Sequence, residues 1–369
     1  VAYIADSAAK VPVQYAGYKD GANLCQRHTE INLDKHPEGL AVISDFSGCF
    51  QRIDRGWMAE SIKMSSERDL LPSVGIFYGR VGGLVAKSSD GQFCVNGVDV
   101  LSKTGARQGC TYGMKVCKIS LQPILCWSQA LHPTTDHDQY ADDGVKFDRV
   151  ASEAVWAAQT CALLAKQHAK LECNPDKGDC FSRMLPDDKM CEAIPDDWRG
   201  SPKYMDPETK EVVGRTKAFK LLGSFFGDDA ECSALLDSLL EVKASHVPNL
   251  KYIVDVKKRH HACHAVHNVL RYSATTQPKY YTSSMRPAAT YIAALHHDER
   301  IKEAALTNIN VTAATEEQKE LVADRMAMDA KGCGGLGYER RVDARETDYL
   351  SAFARGLKME GSKASSLER

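Results

Sequence analysis

No apolar run in this 369-residue chain approaches the roughly 20 residues needed to span a bilayer. A secretory leader is missing too, and a chain that starts at Val1 is expected to continue an upstream segment. None of the 13 cysteines falls in a CxxC pair, which argues against zinc knuckles and a disulfide framework. Cysteine scattered this way fits a reducing compartment, cytoplasm or nucleus. Charge of one sign is not in excess: a formal net charge of −2 gives no global pull toward nucleic acid, so any such binding must come from local basic patches. Internal repeats and long low-complexity segments are absent. What remains is ordinary for a globular protein, with 43% hydrophobic and 26% charged residues and length enough for one large or two to three small domains.

Residues 1–39 are polar and read as short strands and loops. Leu40-Ala41-Val42-Ile43 predicts a buried strand that stops at Ser44-Asp45, with an acid at its C-terminal end. A helix is expected over about 54–66, and Asp90-Gly91 between Leu84-Val85 and Phe93-Cys94-Val95 predicts a hairpin. Residues 109–131 are helical in pattern, with Pro123 as a potential bend. Tyr140, Val145 and Phe147 around Asp142-Asp143-Gly144 predict a β-hairpin presenting two carboxylates at its turn. Residues 150–171 form an amphipathic helix. A polar, Pro-rich insertion then precedes an apolar strand over Phe219 to Phe226, and beyond Ala230 the pattern becomes helical, which predicts a domain boundary.

Asp45 after one strand and Asp142-Asp143 on a hairpin suit two-metal chemistry, in which carboxylates from separate strands converge on two divalent ions. Alone, Asp-Asp-Gly is the composition of a solvated turn. The other segments change that. In chain order, Ser44-Asp45-Phe46-Ser47-Gly48-Cys49-Phe50, Gly105-Ala106-Arg107-Gln108-Gly109, Tyr140-Ala141-Asp142-Asp143, Asn174-Pro175-Asp176-Lys177 and Leu221-Leu222-Gly223 resemble palm motifs A to E of reverse transcriptases, above all the non-LTR-retrotransposon type. Lys331-Gly332-Cys333-Gly334-Gly335-Leu336-Gly337 resembles a Gly-Gly-Leu-Gly element found after the palm in some element-encoded proteins. It lacks the context of a phosphate-binding loop and reads as a flexible connector.

The resemblance implies an α+β right-hand polymerase: partial fingers over 1–39, a palm over 40–230 with an antiparallel sheet, packed helices and a fingers-like hairpin at about 73–104, and a helical thumb with C-terminal extension over 231–369. It implies an RNA-directed DNA polymerase that joins dNMP to a primer 3′-hydroxyl and releases pyrophosphate. The partners would be an RNA template, a DNA primer and dNTPs, with no membrane. Two Mg²⁺ ions, or Mn²⁺ as substitute, would sit on Asp45, Asp142 and Asp143, with the Phe46 carbonyl as a further oxygen ligand.

Phe50 would be the sugar gate, its ring leaving no room for a ribose 2′-hydroxyl; plain core packing is the alternative. Arg107, Gln108 and Gly109 would meet the dNTP, the glycine allowing close backbone approach and the helix start favouring phosphate. A helix cap and a solvated arginine stay open there. Lys177 would protonate the departing pyrophosphate, against the reading of a surface lysine. Lys220, Leu221, Leu222 and Gly223 would form the primer grip, or else an ordinary core strand. Lys257, Lys258 and Arg259 would touch duplex phosphates. The neighbouring His260/His264 and Cys263/His267 pairs have metal-sharing spacing but no further ligand cluster.

The sequence departs from the family where Cys110-Thr111 replaces the usual Asp-Pro; for the family's triphosphate-gripping basic residues, Lys10, Lys19 and Arg27 are candidate substitutes that match no motif. No endonuclease or RNase H signature is present, so further domains of a larger retroelement polyprotein are expected. Two rivals stay open: a non-catalytic nucleic-acid-binding reverse-transcriptase-like protein or inactive fragment, which has no need of three acids, and an RNA-synthesising polymerase, which Phe50 and Tyr140-Ala141 disfavour.

Overall fold

In the computed structural model the described residues are 13–17, 20–78, 93–95, 98–100, 104–106, 112–174, 177–195, 208–209, 218–247, 249–250, 259–309, 311, 314–328 and 335–367. They fall into two units, Val1–Leu222 and Gly223–Arg369.

The first unit is α+β. Its sheet runs in the order β1 (Val13–Gln14), β5 (Asp136–Tyr140), β6 (Asp143–Asp148), β2 (Leu40–Asp45), β7 (Asp179–Phe181). The last four are mutually antiparallel, and β1 joins β5 in parallel. β2 lies at the centre of these four and is buried along its whole length, which explains its unbroken apolar run. Helix α6 (Ala151–Leu164) covers one sheet face, packing Ala154, Val155 and Ala158 on Leu40, Val42 and Cys180. On the other face α1 (Gly21–Lys35) reaches β5 through His28–Asp138 at 2.6 Å and Asn32–Asp136 at 3.2 Å. A second core joins Phe46, α3 (Arg55–Met64) and α5 (Gly113–Leu131) through Met58, Ile62, Val116 and Leu121. The Asp54 side chain starts α3 by accepting the Trp57 N–H at 2.8 Å.

Two expectations are corrected here, and a third falls partly on residues outside those described. Residues 1–39 are not only strands and loops, because α1 occupies fifteen of them. β3 (Phe93–Val95) pairs with β4 (Val98–Val100); Leu84-Val85 and Asp90-Gly91, the other half of the expected hairpin, lie outside the described residues. The strand read over 219–226 is broken into β8 (Ala218–Leu221) and β9 (Ser224–Gly227) by two left-handed residues, Leu222 at φ +51° and Gly223 at φ +88°. The division between the two units falls between these two residues.

The second unit is helical after β9, with α8 (Asp229–Lys243), α9 (Arg259–Val269, continued by a π-helical turn over Leu270–Ala274), α10 (Lys279–Ser284), α11 (Pro287–Asn308), α12 (Glu316–Ala327) and α13 (Arg341–Leu367). Val266, Leu270, Ile301, Leu306, Met326 and Tyr338 form its core. The Gly-Gly-Leu-Gly element is not a loose connector where it is described. Leu336 and Tyr338 donate to the Met326 carbonyl and Gly337 to that of Met328. His267 bonds the Tyr338 hydroxyl at 2.7 Å and Cys263 the Asn308 carbonyl, so both are engaged in packing. No described helix is long and apolar enough to cross a membrane.

One buried group sits awkwardly. Lys146 in β6 is fully buried between Val42 and His137 in the ladder, and its Nζ has no hydrogen-bond partner. Such an amine costs stability without return. Lys146→Met is expected to raise the urea unfolding free energy by about 1–3 kcal/mol; a lower midpoint would show that the amine is compensated.

Candidate active site

Three segments meet at the end of β2. In the ladder with β6, Ser44 lies opposite Gly144 and Asp45 opposite Asp143. Ala141 and Asp142 make the two-residue loop of the β5–β6 hairpin, with Ala141 at φ +54°, a left-handed first position that suits strand twist. The Phe46 N–H donates to the Asp142 carbonyl at 3.2 Å, the Asn174 N–H to the Asp45 carbonyl at 3.0 Å, and the Ser47 N–H to the Glu172 carbonyl at 2.8 Å. Asp45 is thereby held between the hairpin loop and residues 172–174. The Asn174 carbonyl accepts the N–H groups of Lys177 and Gly178, and the Lys177 Nζ stands 3.0 Å from Asp45 Oδ2.

The glycine after the two acids leaves room for the side chains of Gln139 and Ser44. A Cβ at Gly144 would lie 2.5 Å from Gln139 Oε1 and 3.1 Å from Ser44 Oγ.

Burial, then repulsion from Asp142 and Asp45, pushes Asp143 up to about 6, while Lys177 pulls the other way. Asp142 is also raised, first by burial and then by Asp45. Lys177 is raised by its hydrogen bond to Asp45 and the charge it meets there. Because Asp143 has a higher pKa folded than unfolded, it favours the fold at low pH, and that contribution is lost as pH rises from about 4 to about 6. Urea titrations of the metal-free chain should show this loss at up to about 1.4 kcal/mol per pH unit. Asp143→Asn should flatten the slope; an undiminished slope would assign it to other groups.

The donor type suits a hard cation: Asp45, Asp142 and Asp143 bring carboxylates to one end of the sheet, with the Lys177 ammonium against one of them. Among the described residues, however, no three His, Cys, Asp or Glu side chains stand close enough together to hold one ion.

Phe46 turns its ring into the core, 2% exposed. Phe50 lies on the short helix α2 (Cys49–Arg52), half-buried against the same core. Its carbonyl accepts the Ala106 N–H. Gly105, at φ +76°, presses the backbone of residues 104–106 onto α2: a Cβ there would lie 2.3 Å from the Gln51 carbonyl oxygen and 2.4 Å from that of Phe50. Arg107, Gln108 and Gly109 lie outside the described residues, as do Lys257, Lys258, Lys10 and Lys19. Arg259 opens α9. Arg27 is no triphosphate grip: it is 4% exposed and paired with Glu30 at 2.5 Å.

Lys220 is exposed and Leu221 buried at the end of β8. Gln26 on α1 donates its Nε2 to the Leu221 carbonyl at 2.9 Å and to that of Leu222 at 3.5 Å, so the backbone ahead of Gly223 is fixed from within the unit. Sequence reasoning missed this glutamine and also Gln14 and Gln139, which bond the hairpin loop; buried amides carry no periodic signal. It also passed over a compositional one: residues 256–297 contain no Asp or Glu and six Lys or Arg. Within that stretch Tyr272 is 65% exposed and has the Arg271 guanidinium 5.0 Å from its ring centroid.

No protein-family model and no curated protein matches the sequence. Among solved structures, the chain is similar to apo telomerase from Candida tropicalis, at 12% identity and TM-score 0.39, covering 85% of this chain and 58% of that one. It is also similar to telomerase from Candida albicans in complex with a fragment of telomeric RNA, at 9% identity and TM-score 0.37, covering 85% of this chain and 53% of that one. The chain thus spans little more than half the length of either. At TM-scores this low the likeness assigns no chemistry, and the functional reading rests on the site.

Proposed function

We propose that this chain is the polymerase core of a reverse transcriptase, an RNA-directed DNA polymerase that extends a DNA primer on an RNA template with dNTPs. One observation carries the reading: Asp45 and Asp143, far apart in sequence, are direct ladder partners, with Asp142 beside one and Lys177 bonded to the other.

Asp45, Asp142 and Asp143 are the residues to hold two Mg²⁺ ions, or Mn²⁺ in their place, with the Phe46 carbonyl as a further oxygen donor. Mg²⁺ needs only one or two protein carboxylates, because waters and substrate phosphates complete its shell, so a three-side-chain cage is not required. Bound there, the ions would supply acidity to the primer hydroxyl and charge neutralisation to the triphosphate. Lys177, displaced from Asp45, is the group to donate a proton to the pyrophosphate leaving group. The Phe50 ring sets sugar choice, while Gln108, Gly109 and Arg107 meet the nucleotide. Residues 220–223 hold the primer end as a fixed turn.

The first unit then supplies palm and part of the fingers, and the second a thumb. The acid-free basic stretch, with Lys257, Lys258 and Arg259, is suited to duplex phosphates. Further domains of a larger retroelement protein would complete the assembly.

The test is primer extension on an RNA template, comparing Mg²⁺ with Mn²⁺ and dNTPs with ribonucleotides. Phe50→Ala should lower the dNTP-over-rNTP preference by at least about tenfold, the effect of losing roughly 1.4 kcal/mol of discrimination. Unchanged preference would return Phe50 to core packing, and no extension by the parent chain under any condition would favour a non-catalytic binding role.

A further inference from the structure

The hairpin loop that carries Asp142 is gripped from behind by two buried amide side chains. Gln14, from the two-residue strand β1, is 3% exposed, and its Oε1 accepts the Ala141 N–H at 3.0 Å and the Ala16 N–H at 3.4 Å. Both partners are donors, so the amide oxygen and not the nitrogen must face them. Gln139, fully buried on β5, donates its Nε2 to the Ala141 carbonyl at 3.1 Å. Together with the Phe46 N–H on the Asp142 carbonyl, these bonds secure the N–H and C=O of Ala141 and the C=O of Asp142. Ala141 is also the one loop residue in left-handed backbone, a conformation costing an alanine about 1 kcal/mol and retained only where surroundings over-determine it.

We infer that Gln14 is a positioning residue: its amide oxygen locks the left-handed Ala141 and so fixes where the Asp142 and Asp143 carboxylates stand. The inference rests on the polymerase reading for its consequence in catalysis, but not for the lock itself. Gln14 lies in the N-terminal segment, remote in sequence from both acids, and nothing in its own neighbourhood marks it. A carboxylate pair that must meet cations and a nucleotide needs its backbone held before substrate arrives, since small displacements of reacting groups cost large factors in rate.

Hydrogen exchange on the full chain tests the lock without reference to activity. In the native protein the Ala141 amide should exchange at least about 100-fold more slowly than an unprotected amide; exchange at the unprotected rate overturns the inference even if no variant folds. Gln14→Met keeps the volume and removes the acceptor. It should speed Ala141 exchange at least tenfold while amides of β2 and α6 keep theirs. In primer extension it should lower kcat by at least tenfold with KM for template–primer within about twofold, since substrate binding surfaces are untouched. Ala141 exchange within twofold of native in this variant overturns the inference. Faster exchange with kcat unchanged leaves a lock without catalytic effect and equally overturns it as a positioning role. If the parent chain does not polymerise, the polymerase reading falls while the exchange arm still decides the lock. Gln139→Met gives a second variant with the same expected pattern.

Discussion

Asp142→Asn is expected to lower primer extension by at least about 10³-fold, because a divalent-ion site loses a ligand whose effect on the transition state is several kcal/mol. The same substitution should leave the unfolding midpoint at neutral pH unchanged or higher. Burial and Asp45 both disfavour the charged form of Asp142, so an uncharged amide of the same shape removes a cost. Activity down and stability not down is the signature of a group kept for chemistry. Extension assays and urea titrations on the same preparation read both. Extension within tenfold of native would refute the metal assignment, and a large loss of stability would make Asp142 a structural residue. Asp45→Asn should give a comparable loss of extension, and here Lys177 also loses its charged partner at 3.0 Å.

Gly105→Ala should destabilise by about 3–5 kcal/mol, a large part of the 5–15 kcal/mol typical of a folded protein. Two costs add. The residue sits at φ +76°, where an alanine loses about 1 kcal/mol or more. Its Cβ would also fall 2.3–2.4 Å from the carbonyl oxygens of Gln51 and Phe50, backbone that cannot swing aside as a side chain could. Gly75→Ala is the matched control. It lies on α4 (Leu71–Tyr78) with nothing within 4 Å of a built Cβ, so alanine there should stabilise by about 0.5–1 kcal/mol through helix propensity. Denaturant midpoints of the two variants should move in opposite directions. A shift of less than about 1 kcal/mol for Gly105→Ala would mean that residues 104–106 can lift off α2, and Phe50 would then lack the support that a sugar gate needs.

The parts legible from residue order are those whose burial is apolar and periodic. β2 announced itself through four consecutive apolar residues, and the β5–β6 hairpin through strand formers on either side of a turn-forming acid pair. α1 was hidden because its inward face is polar: Gln26, Arg27, Thr29 and Glu30 are all buried, and their partners come from elsewhere in the chain or one turn away. The break in the 219–226 strand was hidden because Leu222 takes a backbone conformation rarely adopted by leucine. Of the candidate site, the acids and Lys177 could be named from their types and order. The amides of Gln14 and Gln26 could not, since hydrogen bonds across 127 and 195 residues leave no trace in local pattern; nor could that of Gln139, whose bond to Ala141 two residues on has no periodic signature. Lys146 shows the opposite failure, a charged residue in a strand position that invites an outward reading and is instead entombed.

The two-residue pairing of β1 alongside β5 bears on how the protein tolerates trimming. Removing residues through Gln14 would strip the only described neighbour from the outer rim of β5, baring main-chain donors and acceptors on a sheet flank that can recruit strands from other molecules. Shortened versions should therefore self-associate as well as misalign the acid pair, and their inactivity on its own would say little about catalysis.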